Sequence, residues 1–571
     1  MKLQNVFWII AVFMMLLAGC GGGDDDGTNN LSVGAISGPL TIAENGTGTY
    51  SVTASGDTGI TYIWTCDPGA AGTFSTPTAA STGFTASPVS SDLSVTIRVS
   101  VSSDNDGPIL ANLAIVVEDT PTSGDGWAVT WGSTSDDRGN SVATDGYGNV
   151  YVAGSFADST DFDRSATADV HTSMGGTDAF LTCYDSSGTF RWAQTWGGTG
   201  DDTAMAVAVA DSGEVYVAGQ YEGTVDLDPT SGTQEFTSLG DTDAFFTRFD
   251  SDGNCYTALT WGGTGEDTVQ DVSVDSSGNI GITGGFTGTV DFNPGSGVSE
   301  ATSLGEKDVY VLRLDQTRAF DWIRTWGGTG RDYGTGITHD ASGNVFVCGV
   351  FSETVNFNPA GSDTFTSGGD LDSFVTILEF NGLYVKTMTW GSAGTDRSGD
   401  IALDASTNIF VCGDIYGEVD FDPGTGVAMS DFAYHSDPYI NALDSGGNHL
   451  WFAQWDGNLT DMGNGIACDT SGNVYVTGYF HNGMTGPFDD YYLYIRQYSG
   501  AGVLGWENLW EASPTFKGRG QAITVDEDDF IYATGLFHGT ADFDPGTGVD
   551  TRISEGEWDA FLLRFDNSGA M

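Results

Sequence analysis

The chain has 571 residues, and its 78 Asp and Glu outnumber its 18 Lys and Arg, which gives a formal net charge of -60. A surface this acidic repels nucleic-acid phosphates and anionic lipid head groups, so both are excluded as partners. The charge attracts cations, including divalent metals, but it also keeps a β protein soluble and discourages strand edges from pairing. The 83 glycines and 12% aromatic residues favour many tight turns between short buried strands.

The first 19 residues have the pattern of an export signal. Lys2 precedes an apolar run at 6–16 that is too short to cross a membrane as a helix. The LAGC sequence at 17–20 follows and resembles a bacterial lipoprotein signal, which implies that cleavage leaves Cys20 lipidated and anchored in a membrane. Because Gly21 rather than Asp follows the cysteine, the sorting rule of that family implies the bacterial outer membrane or cell surface. An ordinary signal peptide with a chance cysteine is the alternative.

The next segments are a tether and a small β domain. Residues 20–30, the lipidated cysteine and GGGDDDGTNN, have the composition of a flexible hydrated spacer. Residues 31–119 alternate apolar and polar side chains in short runs, which predicts an Ig-like β-sandwich with Trp64 as its core aromatic residue. TYIWTCDPGAAG at 61–72 resembles the Ig-like and PKD-like modules of bacterial surface proteins. The segment has only Cys66, so the disulfide of antibody domains is absent.

Residues 120–571 repeat a unit of about 65 residues. A tryptophan followed by a polar loop marks each unit, at Trp131, Trp196, Trp261, Trp326, Trp390, Trp455 and Trp510. Each unit holds four strand-like runs, which in the second unit are 204–210, 214–221, 244–250 and 255–261. Four strands in each repeat predict the blade of a β-propeller. The sequence therefore predicts an all-β chain in which a seven-bladed propeller follows the sandwich.

The ends of the repeated region predict how the ring closes. The last unit, residues 518–571, contains three strand-like runs and lacks the fourth. Residues 126–131 form a fourth strand that no third strand precedes. We expect this strand to complete the last blade, so that no sheet edge stays open.

A hairpin motif within the repeats supports the same fold. It reads DGYGNVYVAG at 145–154, DSSGNIGITG at 275–284, DASGNVFVCG at 340–349 and DTSGNVYVTG at 469–478. These segments resemble the bacterial SBBP-type β-propeller repeat, which implies an extracytoplasmic surface protein and brings no catalytic residues. The motif departs at Ala210, Thr407 and DEDDFIYATG (526–535), so those three hairpins are less secure.

The long connections between strands predict one acidic face. The loop after each tryptophan and the loop after each second strand emerge at the same end of an up-and-down blade, which makes that end the candidate functional face. An aspartate stands six residues after most of the tryptophans, at Asp137, Asp202, Asp267, Asp332, Asp396 and Asp461. Another precedes the third strand, at Asp178, Asp243, Asp308, Asp372 and Asp559, and is expected to fix its loop.

Paired residues in the second-strand loops are candidate calcium ligands. They are Asp161 and Asp163, Asp226 and Asp228, Asp291 and Asn293, Asn356 and Asn358, Asp420 and Asp422, and Asp542 and Asp544. Residues i and i+2 of an extended strand point the same way, and their oxygens suit calcium. The alternative is that these side chains cap backbone N–H groups in turns. No complete EF-hand loop occurs, and no other cofactor is indicated.

Catalytic motifs are scarce. No G-x-S-x-G elbow and no H-E-x-x-H occurs, the arginines are few and dispersed, and the acidic positions recur in nearly every unit although an active site is usually unique. We therefore expect a non-enzymatic surface scaffold or adhesion protein that binds a protein or a glycan. The alternative is an extracellular polysaccharide hydrolase or lyase, which a unique cluster of charged side chains at the central channel would favour.

Overall fold

The computed structural model describes residues 31–43, 47–56, 58–67, 71–86, 93–118, 126–164, 168–455, 460–481, 491–510, 516–546 and 549–571. These residues form β-strands and turns, with no α-helix among them, and no helix in this part of the chain could cross a membrane. The all-β prediction is confirmed. The chain divides into two compact units, Met1–Pro121 and Thr122–Met571. The predicted signal peptide, Cys20 and the tether lie outside the described residues.

The first unit contains two main sheets and a two-stranded one. Its strands are β1 (Ser32–Val33), β2 (Thr41–Ala43), β3 (Thr47–Ser51), β4 (Ala54–Ser55), β5 (Thr61–Asp67), β6 (Gly72–Phe74), β7 (Ser81–Ala86), β8 (Leu93–Ser102) and β9 (Ile109–Glu118). The sheet orders are β2-β9-β8-β5, β3-β7-β6 and β1-β4, and only β2 and β9 pair in parallel among them. Val95, Ile97, Val99 and Val101 are buried at every second position of β8, as period-two alternation requires. Trp64 lies in the same core.

The second unit begins with a single strand, β10 (Trp127–Trp131), which precedes three similar repeats. The first repeat contains β11 (Arg138–Thr144), β12 (Val150–Phe156), β13 (Ser159–Asp161), β14 (Val170–Thr172), β15 (Asp178–Tyr184) and β16 (Phe190–Trp196). The second repeat contains β17 (Thr203–Val209), β18 (Val215–Tyr221), β19 (Thr224–Asp226), β20 (Glu235–Thr237), β21 (Asp243–Phe249) and β22 (Cys255–Trp261). The third contains β23 (Thr268–Val274), β24 (Ile280–Phe286), β25 (Thr289–Asp291), β26 (Glu300–Thr302), β27 (Asp308–Leu314) and β28 (Phe320–Trp326).

Four further repeats follow. The fourth contains β29 (Tyr333–His339), β30 (Val345–Phe351), β31 (Thr354–Asn356), β32 (Thr364–Thr366), β33 (Asp372–Leu378) and β34 (Tyr384–Trp390). The fifth and sixth contain β35 (Arg397–Leu403), β36 (Ile409–Gly417), β37 (Ala433–Leu443), β38 (His449–Gln454), β39 (Met462–Cys468), β40 (Val474–His481), β41 (Tyr491–Tyr498) and β42 (Leu504–Leu509). The last contains β43 (Lys517–Val525), β44 (Ile531–His538), β45 (Thr540–Asp542), β46 (Thr551–Ile553) and β47 (Asp559–Phe565).

The strands of the second unit form consecutive four-stranded antiparallel sheets. Their orders are β11-β12-β15-β16, β17-β18-β21-β22, β23-β24-β27-β28, β29-β30-β33-β34, β35-β36-β37-β38, β39-β40-β41-β42 and β43-β44-β47-β10. In the last sheet Trp127 pairs with Arg564 and Trp131 with Ala560, so the first strand of the unit is hydrogen-bonded to its last. The first strands of successive sheets contact one another, and β43 also contacts β11. This is a propeller-like repeat fold with its first strands innermost.

Each innermost strand carries a β-bulge whose extra residue lines a central cavity. The bulged residues, which the pairing register skips, are Asn140, Met205, Gln270, Thr335, Gly399, Asn464 and Gln521. All seven line a cavity of about 300 Å³. A bulge re-aims the side chain of the extra residue, so the same irregularity in every repeat builds a mostly polar channel wall.

Tryptophans hold neighbouring sheets together. The Trp192 indole donates a hydrogen bond to the carbonyl of Ser251 in the next sheet, at 3.0 Å. Gly253, at φ +81°, lies against the same indole, where a Cβ would come within 2.8 Å of the ring. The same contact joins Trp127 to Ser186. Packing between sheets therefore accounts for these outer-strand tryptophans, and the described cysteines, which are all free, add no cross-link.

The three hairpins that depart from the repeat motif form the same turns as the others. Thr407 replaces glycine at φ +61° and donates its N–H to Asp404 at 2.9 Å. Asp529 adopts φ +64° in the last repeat, and Gly213 forms the turn after Ala210. A left-handed residue other than glycine costs about 1–2 kcal/mol, which the surrounding sheet offsets.

Candidate functional site at the mouth of the central cavity

The aspartates that follow the repeated tryptophans fasten two loops together. Asp202 is fully buried, its Oδ2 accepts the N–H of Gly198 at 2.6 Å, and its Oδ1 accepts the N–H of Glu222 at 3.1 Å. Equivalent hydrogen bonds are made by Asp137, Asp267, Asp332 and Asp396. Burial raises the pKa of Asp202 to about 6. Both oxygens of these carboxylates are therefore committed to the fold.

The aspartates before the third strands also hold loops. Oδ2 of Asp243 accepts the N–H of Leu239 at 3.0 Å, and burial raises the pKa of its carboxyl. Asp178, Asp308, Asp372 and Asp559 accept the N–H of the residue four positions earlier in the same way. This agrees with the loop-fixing role that the sequence predicted.

The paired residues proposed for calcium lie in the second-strand loops and take part in turns. Oδ1 of Asp226 accepts the N–H groups of Asp228 at 3.1 Å and Gln234 at 2.7 Å. The leading residues Asp161, Asp291, Asn356, Asp420 and Asp542 bind two backbone N–H groups likewise. Among the described residues no three His, Cys, Asp or Glu side chains converge on one metal position. Turn capping thus occupies one oxygen of each leading residue, and calcium binding stays a prediction for the other oxygens.

A site of different character lies in the fifth repeat, at the mouth of the central cavity. A second cavity of about 360 Å³ is lined by Asp370, Arg397, Asp414, Tyr416 and His435, among others. Arg397 and Asp414 also line the central cavity, so the two spaces share one wall. Arg397 begins β35 and Asp414 lies near the end of β36, which places the mouth at the end of the sheet where the long loops emerge. We call this group of residues the mouth site.

Asp414 is a buried carboxylate whose oxygens are unsatisfied. It pairs in register with Arg397 on one side and Pro438 on the other, and it has no solvent exposure. No hydrogen bond of normal geometry reaches either carboxylate oxygen in the described part of the chain, although the Ser436 hydroxyl lies close enough to lower the pKa of Asp414. Burial raises the pKa of Asp414 to about 7, although the Arg397 guanidinium opposes the rise. Because an unsatisfied buried polar group is costly, this carboxyl is poised to bind a group that enters from the cavity.

Arg519 and three aromatic rings extend the mouth site towards the sixth and seventh repeats. The Arg519 guanidinium carbon lies 3.8 Å from the ring centre of Tyr491, 5.0 Å from that of Tyr479 and 5.3 Å from that of Trp558. Its Nε is buried without a hydrogen-bond partner in the described residues. The Tyr479 hydroxyl donates to Sδ of Met462 at 2.8 Å, and Met462 lines the central cavity beside Arg397 and Asp414. Arg519 therefore belongs to the same rim as Asp414.

Sequence reasoning identified the long-loop face but not these residues. Asp414 stands in FVCGDIYG (410–417), where the preceding repeat has valine in FVCGVFSE (346–353). A lone acid in an otherwise buried strand was the available signal. Asp414 does not belong to the pattern of repeated acids, because the equivalent positions of the other repeats carry other residues. Its partner Arg519 is far away in sequence and reaches the mouth only through the packing of neighbouring sheets.

Comparison with known proteins agrees with the repeat architecture. The beta-propeller repeat family SBBP matches residues 450–479. The uncharacterised WD repeat-containing protein L264 of Acanthamoeba polyphaga mimivirus is 24% identical over 507 residues, 72% of this chain and 36% of that protein. The regulatory protein FlaEY of Caulobacter vibrioides is 26% identical over 303 residues, 49% of this chain and 30% of that protein. The chain thus spans about a third of the length of these relatives.

Solved structures give weaker matches. The extracellular domain of the hybrid two-component system BT4673 from B. thetaiotaomicron is 12% identical, with a TM-score of 0.24 over 93% of this chain and 70% of that chain. Domains 4–9 of the surface layer protein SbsC are 11% identical, with a TM-score of 0.13 over 76% of this chain and 83% of that chain. The repeat match and the recurring four-stranded sheets together identify the chain as a propeller-repeat protein.

Proposed function

We propose that this chain is a lipid-anchored bacterial surface protein whose seven-bladed propeller binds a glycan at the mouth site without transforming it. One observation carries the binding proposal: both oxygens of Asp414 are buried and unsatisfied beside a cavity. A hydroxyl group that enters the cavity could donate to this carboxyl and offset an unpaired-group cost of about 1–3 kcal/mol. Backbone N–H groups fill both oxygens of an aspartate such as Asp202 that follows a repeated tryptophan. The aspartates before the third strands have one filled and one unpaired oxygen, so Asp414 differs from both sets in having two unpaired oxygens.

The lining of the two cavities favours a glycan over a flat protein surface. The central cavity is lined by the amide side chains of Gln270, Asn464 and Gln521. Asn464 Nδ2 donates to the carbonyl of Gly520 at 2.8 Å and to Gln521 Oε1 at 3.4 Å, and the remaining amide groups can donate to or accept from sugar hydroxyls. Tyr416 lines the outer cavity with 46% of its surface exposed and offers a ring face for stacking. Concave sites with a few convergent polar groups suit small polar ligands or the end of a longer chain.

The architectural part of the proposal joins the sheets into one closed ring. Seven four-stranded sheets, the contacts between successive first strands and the β10–β47 pairing support a closed seven-bladed propeller. The two sheets of the first unit support an Ig-like spacer, and LAGC at 17–20 supports the anchor. Cys20→Ser should abolish incorporation of labelled fatty acid. Normal labelling of the mutant and normal membrane fractionation would remove the lipoprotein proposal.

A polysaccharide hydrolase or lyase is the second candidate. The observation that favours it is the mouth site itself, a unique charged cluster in an otherwise repetitive acidic protein. Asp414, with its pKa raised to about 7, has the property of a general acid. Release of reducing ends or unsaturated sugars from a bound polysaccharide, lost in Asp414→Asn, would establish catalysis in place of simple binding.

The binding proposal is tested by affinity electrophoresis of the purified full chain in gels that contain a panel of polysaccharides. At least one polysaccharide should retard the chain, and Asp414→Asn should weaken retardation about tenfold, equivalent to about 1.4 kcal/mol. Asp252→Asn is the matched control, because Asp252 lies exposed in a turn of the second repeat. Absence of retardation on the whole panel, or equal effects of the two substitutions, would refute binding at the mouth site.

A further inference from the structure

We propose that the mouth site selects glycans that carry a carboxylate, and that this carboxylate contacts the guanidinium groups of Arg397 and Arg519. The inference rests on the proposed glycan-binding function and adds the chemical class of the ligand. It arises from a difference among the basic side chains. Most of them form ion pairs or hydrogen bonds within the protein, whereas Arg397 and Arg519 at the mouth site do not.

The protein has only 18 Lys and Arg against 78 Asp and Glu, so nearly every basic side chain can find an acidic neighbour. Many do: Arg138 with Asp136, Arg248 and Arg318 with Glu214, Lys307 with Glu266, Arg313 with Asp275, Arg496 with Glu507 and Arg552 with Asp550. Within the described residues, four side chains in the second unit make neither an ion pair nor a hydrogen bond: Arg331, Arg397, Lys517 and Arg519.

These four residues share one location. Arg397 and Lys517 begin innermost strands, Arg519 lies two residues further along β43, and Arg331 lies in the loop before β29. All four are therefore at the long-loop end of the sheets. Arg138 and Lys307 at the same end are ion-paired, but these four side chains keep N–H groups that can donate to an external anion.

The environment of Arg519 fits the recognition of a carboxylate. Its guanidinium stacks on the face of Tyr491, which holds the plane in place and leaves N–H groups at its edge. A planar guanidinium donates two parallel hydrogen bonds to a carboxylate. The buried Nε has no acceptor in the described part of the protein. Because Nε is closed to solvent and Arg519 is only partly buried, an incoming carboxylate would accept from the terminal N–H groups of the guanidinium.

Arg397 belongs to the fifth sheet and Arg519 to the seventh. Burial raises the pKa of Tyr479 in the sixth sheet, and both guanidinium groups lie near enough to this side chain to oppose the rise. Arg397 lines both cavities, and Met462, which the Tyr479 hydroxyl contacts, lines the central cavity beside it. Tyr479 also packs under Arg519, with 5.0 Å between the guanidinium carbon and the ring centre. The two guanidinium groups therefore flank one aromatic side chain at the rim.

The overall charge of -60 does not forbid an anionic ligand. At physiological ionic strength, screening limits the repulsion from distant carboxylates to about 8 Å. Direct charge-assisted hydrogen bonds then decide the affinity. A glycan is favoured over an acidic peptide because the amides of Gln270, Asn464 and Gln521 line the adjoining cavity, where they can contact sugar hydroxyls.

The test is an array of oligosaccharides with several uronate-containing backbones, each printed beside its methyl-esterified neutral form. The purified full chain is the probe, and a poly-aspartate peptide is a competitor. The chain should bind at least one acidic glycan and at least tenfold less of the matched ester. Arg397→Gln and Arg519→Gln should each weaken that binding about tenfold, as expected for loss of a charge-assisted pair. Arg397→Lys keeps the positive charge but lacks the two parallel N–H donors of the guanidinium, so this variant should retain only part of the affinity.

Lys386→Gln is the control variant, because Lys386 lies on an outer strand and donates to the carbonyl of Gly446. Thermal melting checks that every variant folds. Equal binding of acids and esters would overturn this inference and leave glycan binding intact. Absence of binding to every glycan would remove both proposals. Direct binding of labelled poly-aspartate, with no binding to any glycan, would replace the glycan with an acidic peptide and overturn the inference.

Discussion

Asp267 and Asp414 are both fully buried aspartates of the second unit, and their surroundings differ completely. Asp267 accepts the N–H groups of Gly263 at 2.6 Å and Thr287 at 3.1 Å, and the same arrangement recurs in neighbouring repeats. Neither oxygen of Asp414 accepts a hydrogen bond of normal geometry in the described residues, and this aspartate occurs in one repeat alone. The aspartates that follow the tryptophans thus hold loops with both oxygens, whereas the exceptional aspartate leaves both oxygens unpaired. The difference separates carboxylates that build the fold from one that is available to a ligand.

Breaking the ring should have the largest effect. Trp131 is fully buried between the last sheet and the first, where its ring lies 5.7 Å from that of Tyr184. Trp131→Ala should lower the free energy of unfolding by about 3–5 kcal/mol. Deletion of 126–131 should cost more, since it also exposes the edge of β47 and promotes aggregation. Urea denaturation measures both, and a deletion variant as stable as the parent chain would show that the ring does not depend on β10.

Removal of a repeated aspartate should lower the free energy of unfolding somewhat less than disruption of the ring does. Asp267→Ala leaves the N–H groups of Gly263 and Thr287 without their acceptors, which predicts a loss of about 2–5 kcal/mol. Asp414→Asn should cause little loss, because it removes a buried charge that has no partner. Chemical denaturation of the two variants in parallel measures the loss in free energy of unfolding for each. Equal losses would mean that Asp414 is as structural as Asp267.

The buried aspartates also predict a pH dependence of stability. Burial raises the pKa of several carboxyls from 3.8 to about 6, at Asp137, Asp202, Asp267 and Asp332, and that of Asp559 to about 7. Since the folded-state pKa values are raised, the stability they contribute is complete below about pH 4 and is lost as pH rises through 6 to 7. The Tm should therefore fall between pH 5 and pH 7.5. A Tm that rises over this range would contradict it.

Ligand affinity should depend on pH in the opposite direction and by a smaller free energy. Burial raises the pKa of Asp414 to about 7, with Arg397, Asp396 and Ser436 beside it, and a ligand hydroxyl donates more strongly to the ionised carboxylate. Affinity for the glycan should therefore rise by up to about tenfold from pH 6 to pH 8, whereas Asp414→Asn should bind more weakly and with little dependence on pH. Calorimetry at both pH values measures the change. A slope that persists in Asp414→Asn would assign it to another group.

Calcium should give the smallest effect. At a calcium concentration equal to Kd, one site stabilises the fold by about 0.4 kcal/mol. Magnesium and sodium at matched ionic strength control for screening. Asp420→Ala combined with Asp422→Ala should lower the bound stoichiometry by one if calcium binds there. Equal shifts with all three salts, with no heat of binding, would leave these residues as turn caps alone.

The repeat period made much of the fold predictable. The tryptophan spacing and the Asp-Gly turns recur with the strands, so the fold class and the four strands of each main sheet followed from local chemistry. The short strand pairs in the second-strand loops, such as β13-β14 and β19-β20, were not predicted. The mouth site did not follow. Arg397 and Asp414 face each other through strand pairing, but Arg519, Tyr491 and Trp558 meet them through the packing of separate sheets. Such convergence depends on ring geometry and on bulges, which a periodic pattern does not encode.

The central claim is that the repeated aspartates hold the fold and that the exceptional one serves a ligand. The most direct test measures two quantities, the free energy of unfolding and the affinity for the best glycan found, on Asp267→Ala and Asp414→Asn. The account predicts that Asp267→Ala loses stability and keeps its affinity at temperatures where it stays folded. Asp414→Asn should keep its stability and lose about tenfold in affinity. If Asp414→Asn loses stability and binds unchanged, the mouth site is not the ligand site.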